Sequence, residues 1–258
     1  MTERATPIEP DINAEAQRLL VEIDRAGIAA RLIGGMAIRL LAADRMPPVF
    51  ERPIQDLDFV LAKRDRPDFN KLLIEAGYVA QERFNALHGA HRLLYDDPSH
   101  GRQIDVFVES FSMCHELPLA EQIPVRPHTL PPADVLMTKL QIVELNEKDQ
   151  RDLYALLCTH TVSAGQGAAG EGEIDVGRIV ALTSNDWGLQ HTFELNLDRL
   201  RAALGEQPLA AEQAAAVGQR IDALAQALED APKTRKWKLR AKVGERKRWY
   251  EEPEEVDR

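Results

Sequence analysis

LIGGMAIRLLAADRMPPVFERPIQDLDFVLA, residues 32–62, is the stretch on which the fold turns. Ala30–Ile33 reads as a short apolar strand ending in Gly34-Gly35, and residues 36–45 return to helical composition. Gln55–Ala62 alternates polar and apolar at first and is then continuously apolar, as a strand with one face open at its start. Residues two apart on a strand share a face, so Asp56 and Asp58 project together while Leu57 and Phe59 turn into a core. Two neighbouring carboxylates raise the cost of ionising one another, and a cation between them removes that cost. Mg²⁺ suits such a site because it prefers carboxylate and phosphate oxygens.

A third acid, Asp105, lies in QIDVFVE (103–109) between the apolar residues Ile104 and Val106. With that strand beside 55–62, three acids would converge, and three carboxylates can hold the two ions of a phosphoryl-transfer site. Upstream, Gly34-Gly35 lets a phosphate approach the backbone, and the start of the following helix favours an anion. A Gly-Gly turn alone is commonplace, as is a pair of solvated aspartates at a strand end. The combination is what points to nucleotide chemistry.

Residues 12–27 read as an amphipathic helix with Leu19, Leu20 and Ile23 on one face and Gly27 as its stop. Residues 66–77 form a second helix with a glycine stop. Strands at about 90–95 and at 103–109 flank the turn cluster 97–101, which predicts a hairpin. Residues 123–127 add a further short strand. Pro131-Pro132 opens a helical stretch over 133–160, broken near Asn146. The predicted fold is α/β of the α+β kind: a small mixed sheet flanked by helices, with a helical C-terminal region. The expected organisation is a core domain over 1–162, a flexible Gly/Ala-rich linker over 163–173, a helical region over 174–230 broken at 205–208, and a basic then acidic tail over 231–258.

The formal net charge of −10 over 258 residues disfavours nucleic acid and anionic membranes unless charge is segregated. It is segregated: residues 233–248 carry nine Lys/Arg and one Glu, a net of +8. With Trp237 and Trp249 nearby, that segment can contact RNA, lie on the acidic body, or remain a solvated tail. Two cysteines are too few for a disulfide framework, which points to the cytoplasm. No signal peptide is expected, and no apolar run approaches the ~20 residues of a membrane span. His88, His91, His100 and Cys114-His115 lack the tight spacing of a zinc site.

The run LIGGMAIRLLA…ERPIQDLDFVLA resembles the polymerase-β-like nucleotidyltransferase signature, and IDVFVE resembles its third-acid strand. LPPADVLMTKLQIVELNEKDQRDLYALL is similar to the helical segment of AbiEii-type nucleotidyltransferases. The resemblance covers roughly residues 15–160. It implies transfer of NMP from an NTP to an acceptor with Mg²⁺ (or Mn²⁺), with Asp56, Asp58 and Asp105 as catalytic metal ligands. Gly34, Gly35, Arg52 and Lys139 would contact the nucleotide. Lys148, Asp149 and Asp152 would support the site, although a surface salt-bridge face explains their helical spacing equally well. Met46-Pro47-Pro48 lengthens the usual spacing, and Ile54 stands where many relatives carry Thr or Ser. The resemblance further implies a toxin–antitoxin role, with tRNA or protein as acceptor and an antitoxin as partner. The rivals are a small-molecule adenylyltransferase of the antibiotic-modifying type and a non-catalytic binding protein on the same fold.

Overall fold

The computed structural model describes residues 8–163, 170 and 172–252. Most of the expected linker and the acidic end beyond 252 lie outside the described residues. The chain forms two compact units. The first comprises Met1–Leu40, Arg52–Phe111 and Pro118–Leu130; the second comprises Leu41–Glu51, Ser112–Leu117 and Pro131–Arg258.

The first unit is an α+β layer. Helix α1 (Ile12–Arg25) starts at Asp11, whose side chain accepts from the Asn13 and Ala14 amides. It buries Ala16, Leu19, Leu20 and Ile23. Glu15 is also buried, held by Arg18 at 2.6 Å and by the Tyr78 hydroxyl at 2.6 Å. Gly27, at φ +66°, ends the helix as expected from its freedom in left-handed backbone. Strand β1 (Ala30–Ile33) leads into helix α2 (Gly34–Ala42). Strand β2 (Leu57–Leu61) is followed by helix α3 (Arg66–Glu75). Strand β3 (Val79–Ala80), helix α4 (Glu82–His88), strand β4 (Arg92–Asp97) and strand β5 (Arg102–Val108) complete it.

The sheet order is β1-β2-β5-β4-β3. Strands β2 and β5 pair in parallel, and every other neighbouring pair in this sheet is antiparallel. The mixed sheet and the 92–108 hairpin match the expectation from pattern. At the turn, Asp97 accepts from the Ser99 and His100 amides and from Arg102. Alternation sends Leu57, Phe59 and Leu61 to one face, where Phe59 meets the Phe69 ring of α3 edge-on at 5.7 Å. The extra elements β3 and α4 are too short to carry a periodic signal. The strand expected at 123–127 is absent: Pro124 and Pro127 supply no N–H to a ladder, and the segment turns instead.

The second unit is mainly helical. Helices α5 (Pro132–Leu140) and α6 (Glu147–Thr159) flank Asn146, whose side chain caps α6 by accepting from the Asp149 amide. Strands β6 (Thr161–Val162) and β7 (Glu173–Ile174) form a short parallel ladder. Helices α7 (Val176–Thr183), α8 (Trp187–Ala203) and α9 (Ala211–Asp230) follow. Their core includes Phe193, Leu197, Leu200, Val217, Ile221 and Leu224, all nearly inaccessible to solvent. Met46-Pro47-Pro48 leads to Phe50, which stacks on Tyr154 at 5.6 Å, so this stretch anchors a ring in the core as well as lengthening a loop. The basic segment folds as helix α10 (Arg235–Val243), capped by Thr234 and packed on α8 through Trp237, whose indole N–H donates to Gln190 at 3.1 Å. Among the described residues, no helix is long and apolar enough to cross a membrane.

Candidate active site

The acids are placed by strand register. Asp58 on β2 is aligned with Asp105 on β5, and Ile33 on β1 flanks Asp58 on its other side. Aligned residues on neighbouring strands point to the same face, so Asp58 and Asp105 stand side by side on one surface of the sheet. Asp56 lies one residue before β2. Its Oδ1 accepts from the Gln103 amide at 3.0 Å, tying the entry of β2 to β5. All three acids keep some exposure to solvent.

Gly34 has φ +63°, a conformation that disfavours a side chain. A Cβ there would stand 2.0 Å from Asp58 Oδ2, so the carboxylate lies directly against the glycine at the start of α2. A Cβ on Gly35 would stand 2.5 Å from Arg52 Nη2 and 2.9 Å from Ile54 Cδ1. The glycine pair therefore admits an acid, a guanidinium and an apolar group to the backbone at one helix terminus. Arg39 holds the approach to that loop, donating to the Arg52 carbonyl and to Asn13 Oδ1 at 2.7 Å.

Sequence reasoning missed Arg92. Its Nε and Nη2 donate to both carboxylate oxygens of Asp105, at 2.9 Å and 2.6 Å. The guanidinium carbon lies 5.1 Å from the Phe107 ring centroid and 5.8 Å from that of Phe84. Both side chains of the pair are more than four-fifths buried. The antiparallel register aligns Arg92 with Phe107 and Leu94 with Asp105, so Arg92 is the diagonal neighbour of Asp105 on the same face. A charge two positions off the acid across a hairpin was the available signal. It becomes readable only once the register is known.

The donor chemistry of Asp58 and Asp105 is what a divalent ion prefers. Asp105 nonetheless gives both oxygens to Arg92. Among the described residues, no group of three or more His, Cys, Asp or Glu is placed to hold a metal ion. In this arrangement Arg92 supplies a positive charge at Asp105.

The other nominated residues belong to the second unit. Lys139 Nζ lies 2.8 Å from Asp149 Oδ1 and 3.1 Å from Asp152 Oδ2, clamping α5 to α6. Lys148 is exposed. Nearby, Asp134 is fully buried; burial pushes its carboxyl up to about 6, and Arg178, donating at 3.0 Å, opposes the rise.

No family model matches the chain, and no curated protein matches it in sequence. Among solved structures, it is similar to an antigenic nucleotidyltransferase-like protein from Paracoccidioides brasiliensis. The identity is 16%, the alignment covers 86% of this chain and 94% of that one, and the TM-score is 0.38. A likeness that distant leaves function to be read from the residues themselves.

Proposed function

We propose that the chain is a nucleotidyltransferase that moves an NMP group from an NTP to a hydroxyl. The observation that carries this reading is the Asp58–Asp105 register, with the Asp58 carboxylate laid against Gly34 at the start of α2. Two acids on one sheet face and a helix terminus beside them are what a triphosphate-handling site requires. Arg52, lying against Gly35, is placed to meet phosphate oxygens. A divalent ion, Mg²⁺ or Mn²⁺, belongs to the reading, although Arg92 already stands at Asp105. Lys139, held by two acids, serves first as a helix clamp. The acceptor class (an RNA 3′ end, a protein or a small molecule) and a toxin–antitoxin role stay within the proposal.

One observation favours a second reading. The bidentate Arg92–Asp105 pair neutralises the third acid without any ion, as a binding protein that had lost catalysis would tolerate. Incubation with each labelled NTP, Mg²⁺ and total cell extract separates the two. Transfer should label one class of acceptor. Asp58→Asn should lower that transfer by at least about 10³-fold, several kcal/mol of transition-state stabilisation, with an unchanged circular dichroism spectrum. No labelling by any NTP, with no metal-dependent nucleotide binding by calorimetry, would establish the second reading. Unimpaired transfer in Asp58→Asn would put the chemistry elsewhere.

A further inference from the structure

The second unit contains a cavity of about 750 Å³ that the acid-bearing sheet does not explain. Aromatic Trp187, Trp249 and Tyr250 and cationic Lys236, Arg240 and Arg248 line it. Its walls come from segments far apart in sequence and are held by specific contacts. Helix α8 starts at Asp186, whose Oδ1 accepts from the Leu189 amide at 3.1 Å. A Cβ on Gly188 would stand 2.6 Å from the Trp249 carbonyl oxygen, so that glycine lets the 249–251 strap lie against the first turn of α8. The Glu251 amide donates to the Cys114 carbonyl at 2.9 Å. The Trp249 indole N–H donates to Thr192 Oγ1 at 3.0 Å, and the same hydroxyl lies 2.8 Å from His115 Nε2. Burial pulls the His115 imidazole down to about 4, so it is neutral near pH 7 and its Nε2 can accept the Thr192 proton.

Arg240 lies over the Trp187 ring at 4.8 Å, and Arg248 over the Tyr250 ring at 5.6 Å. These are planar cations against planar rings. The acids Glu116, Asp186 and Glu251 share the lining, so the cavity is not a simple anion trap. Rings, cations and carboxylates together match the three parts of a nucleotide: the base face, the phosphate and the N–H groups on the base edge. The positive charge also runs past the cavity, since Arg235, Lys238, Lys242, Arg246 and Lys247 are exposed. One phosphate does not need that row, whereas a chain of phosphates does.

We propose that this cavity takes a nucleobase of a single-stranded nucleic acid, with its ring against Trp249 and Tyr250 and the adjoining phosphates on Lys236, Arg248 and the exposed cations of α10. The site uses none of the residues assigned to nucleotide transfer and stands whether or not those residues are catalytic.

The chain has three tryptophans, Trp187, Trp237 and Trp249, all in the second unit, so fluorescence excited selectively at tryptophan reports on this unit. The full chain would be titrated with a single-stranded octanucleotide, with AMP and with base-free polyphosphate. The octanucleotide should quench the fluorescence with a steep salt dependence. AMP should bind at least about 100-fold more weakly, and polyphosphate should bind without the same quenching. The exposed pair Lys236→Gln with Arg248→Gln should weaken octanucleotide binding by about 10-fold or more at unchanged helicity. Tyr250→Leu should weaken it by about 10-fold while leaving the salt slope intact. Asp58→Asn should bind as the parent does, which separates this proposal from the transferase reading. Absent quenching overturns the proposal, as does affinity unchanged in both variants. Polyphosphate matching the octanucleotide in affinity and spectrum excludes the base, and AMP binding as tightly as the octanucleotide excludes the polymer.

Discussion

The acid-bearing sheet and the aromatic–cationic cavity are built by different physics. In the sheet, Asp58 and Asp105 meet because a strand alternates its side chains and a parallel ladder sets the two residues level. In the cavity, Cys114–Glu116, Asn185–Gly188 and Lys236–Glu251 meet because helices pack and a strap closes over a glycine. The first arrangement follows from a period of two, which a sequence carries openly. The second depends on side-chain packing between segments some 50 to 130 positions apart. A periodic rule can therefore bring candidate acids to one face, while a cavity stays hidden until distant segments have packed.

The sheet should respond most strongly to substitution. Arg92→Gln removes the guanidinium from a mostly buried pair and should destabilise the first unit by about 3 kcal/mol. If the acids form a metal site held in check by Arg92, the same variant should bind Mn²⁺ about 10-fold more tightly, a gain of ~1.4 kcal/mol. Calorimetry reads the affinity and urea titration the stability. Unchanged Mn²⁺ affinity would make Arg92 purely structural.

A middle-sized effect lies in the second unit and depends on pH. The His115 imidazole is depressed from 6.5 to about 4 by burial, so the unfolded chain takes its proton first on acidification. Its contribution to stability is present above 6.5 and is lost as pH falls toward 4, by about 2 kcal/mol between pH 7 and pH 5. Asp134 acts with the opposite sign. Its carboxyl is raised from 3.8 to about 6, so protonation favours the folded state by about 1 kcal/mol over the same interval. Tryptophan-monitored unfolding should thus show His115→Gln gaining on the parent as pH falls, and Asp134→Asn losing ground. Parallel profiles for all three proteins would mean that neither group changes its proton affinity on folding.

The smallest effect is at Gly34. Gly34→Ala forces a side chain into left-handed backbone at a cost of about 1–2 kcal/mol, and its Cβ displaces the Asp58 carboxylate. Transfer should fall with stability, while octanucleotide binding by the other unit should not change. A fully active Gly34→Ala protein would show that Asp58 does not need its seat at α2.

Much of the fold was legible for local reasons. Gly27 stops α1, Asn146 separates α5 from α6, and the 97–101 cluster turns β4 into β5, because backbone geometry and capping act over a few residues. The segment 123–127 departs from the expected strand for an equally local reason, its two prolines. At the site, the common face of Asp58 and Asp105 was readable, whereas the Arg92 clamp was not. A long side chain can reach several acids, and only the register says which.

The amino-acid order carried the start of α1, the β1–α2 turn, the 92–108 hairpin, the face of β2 that bears Asp58, and the positive charge gathered at 233–248. Those are properties of short windows, set by periodicity, capping and composition. The tertiary structure alone decided that a resident arginine answers Asp105, that Lys139 clamps two helices, and that the basic segment closes a cavity as helix α10. Each of these joins residues distant in the chain, and the free energy that selects such partners exists only once the core has brought them within contact distance.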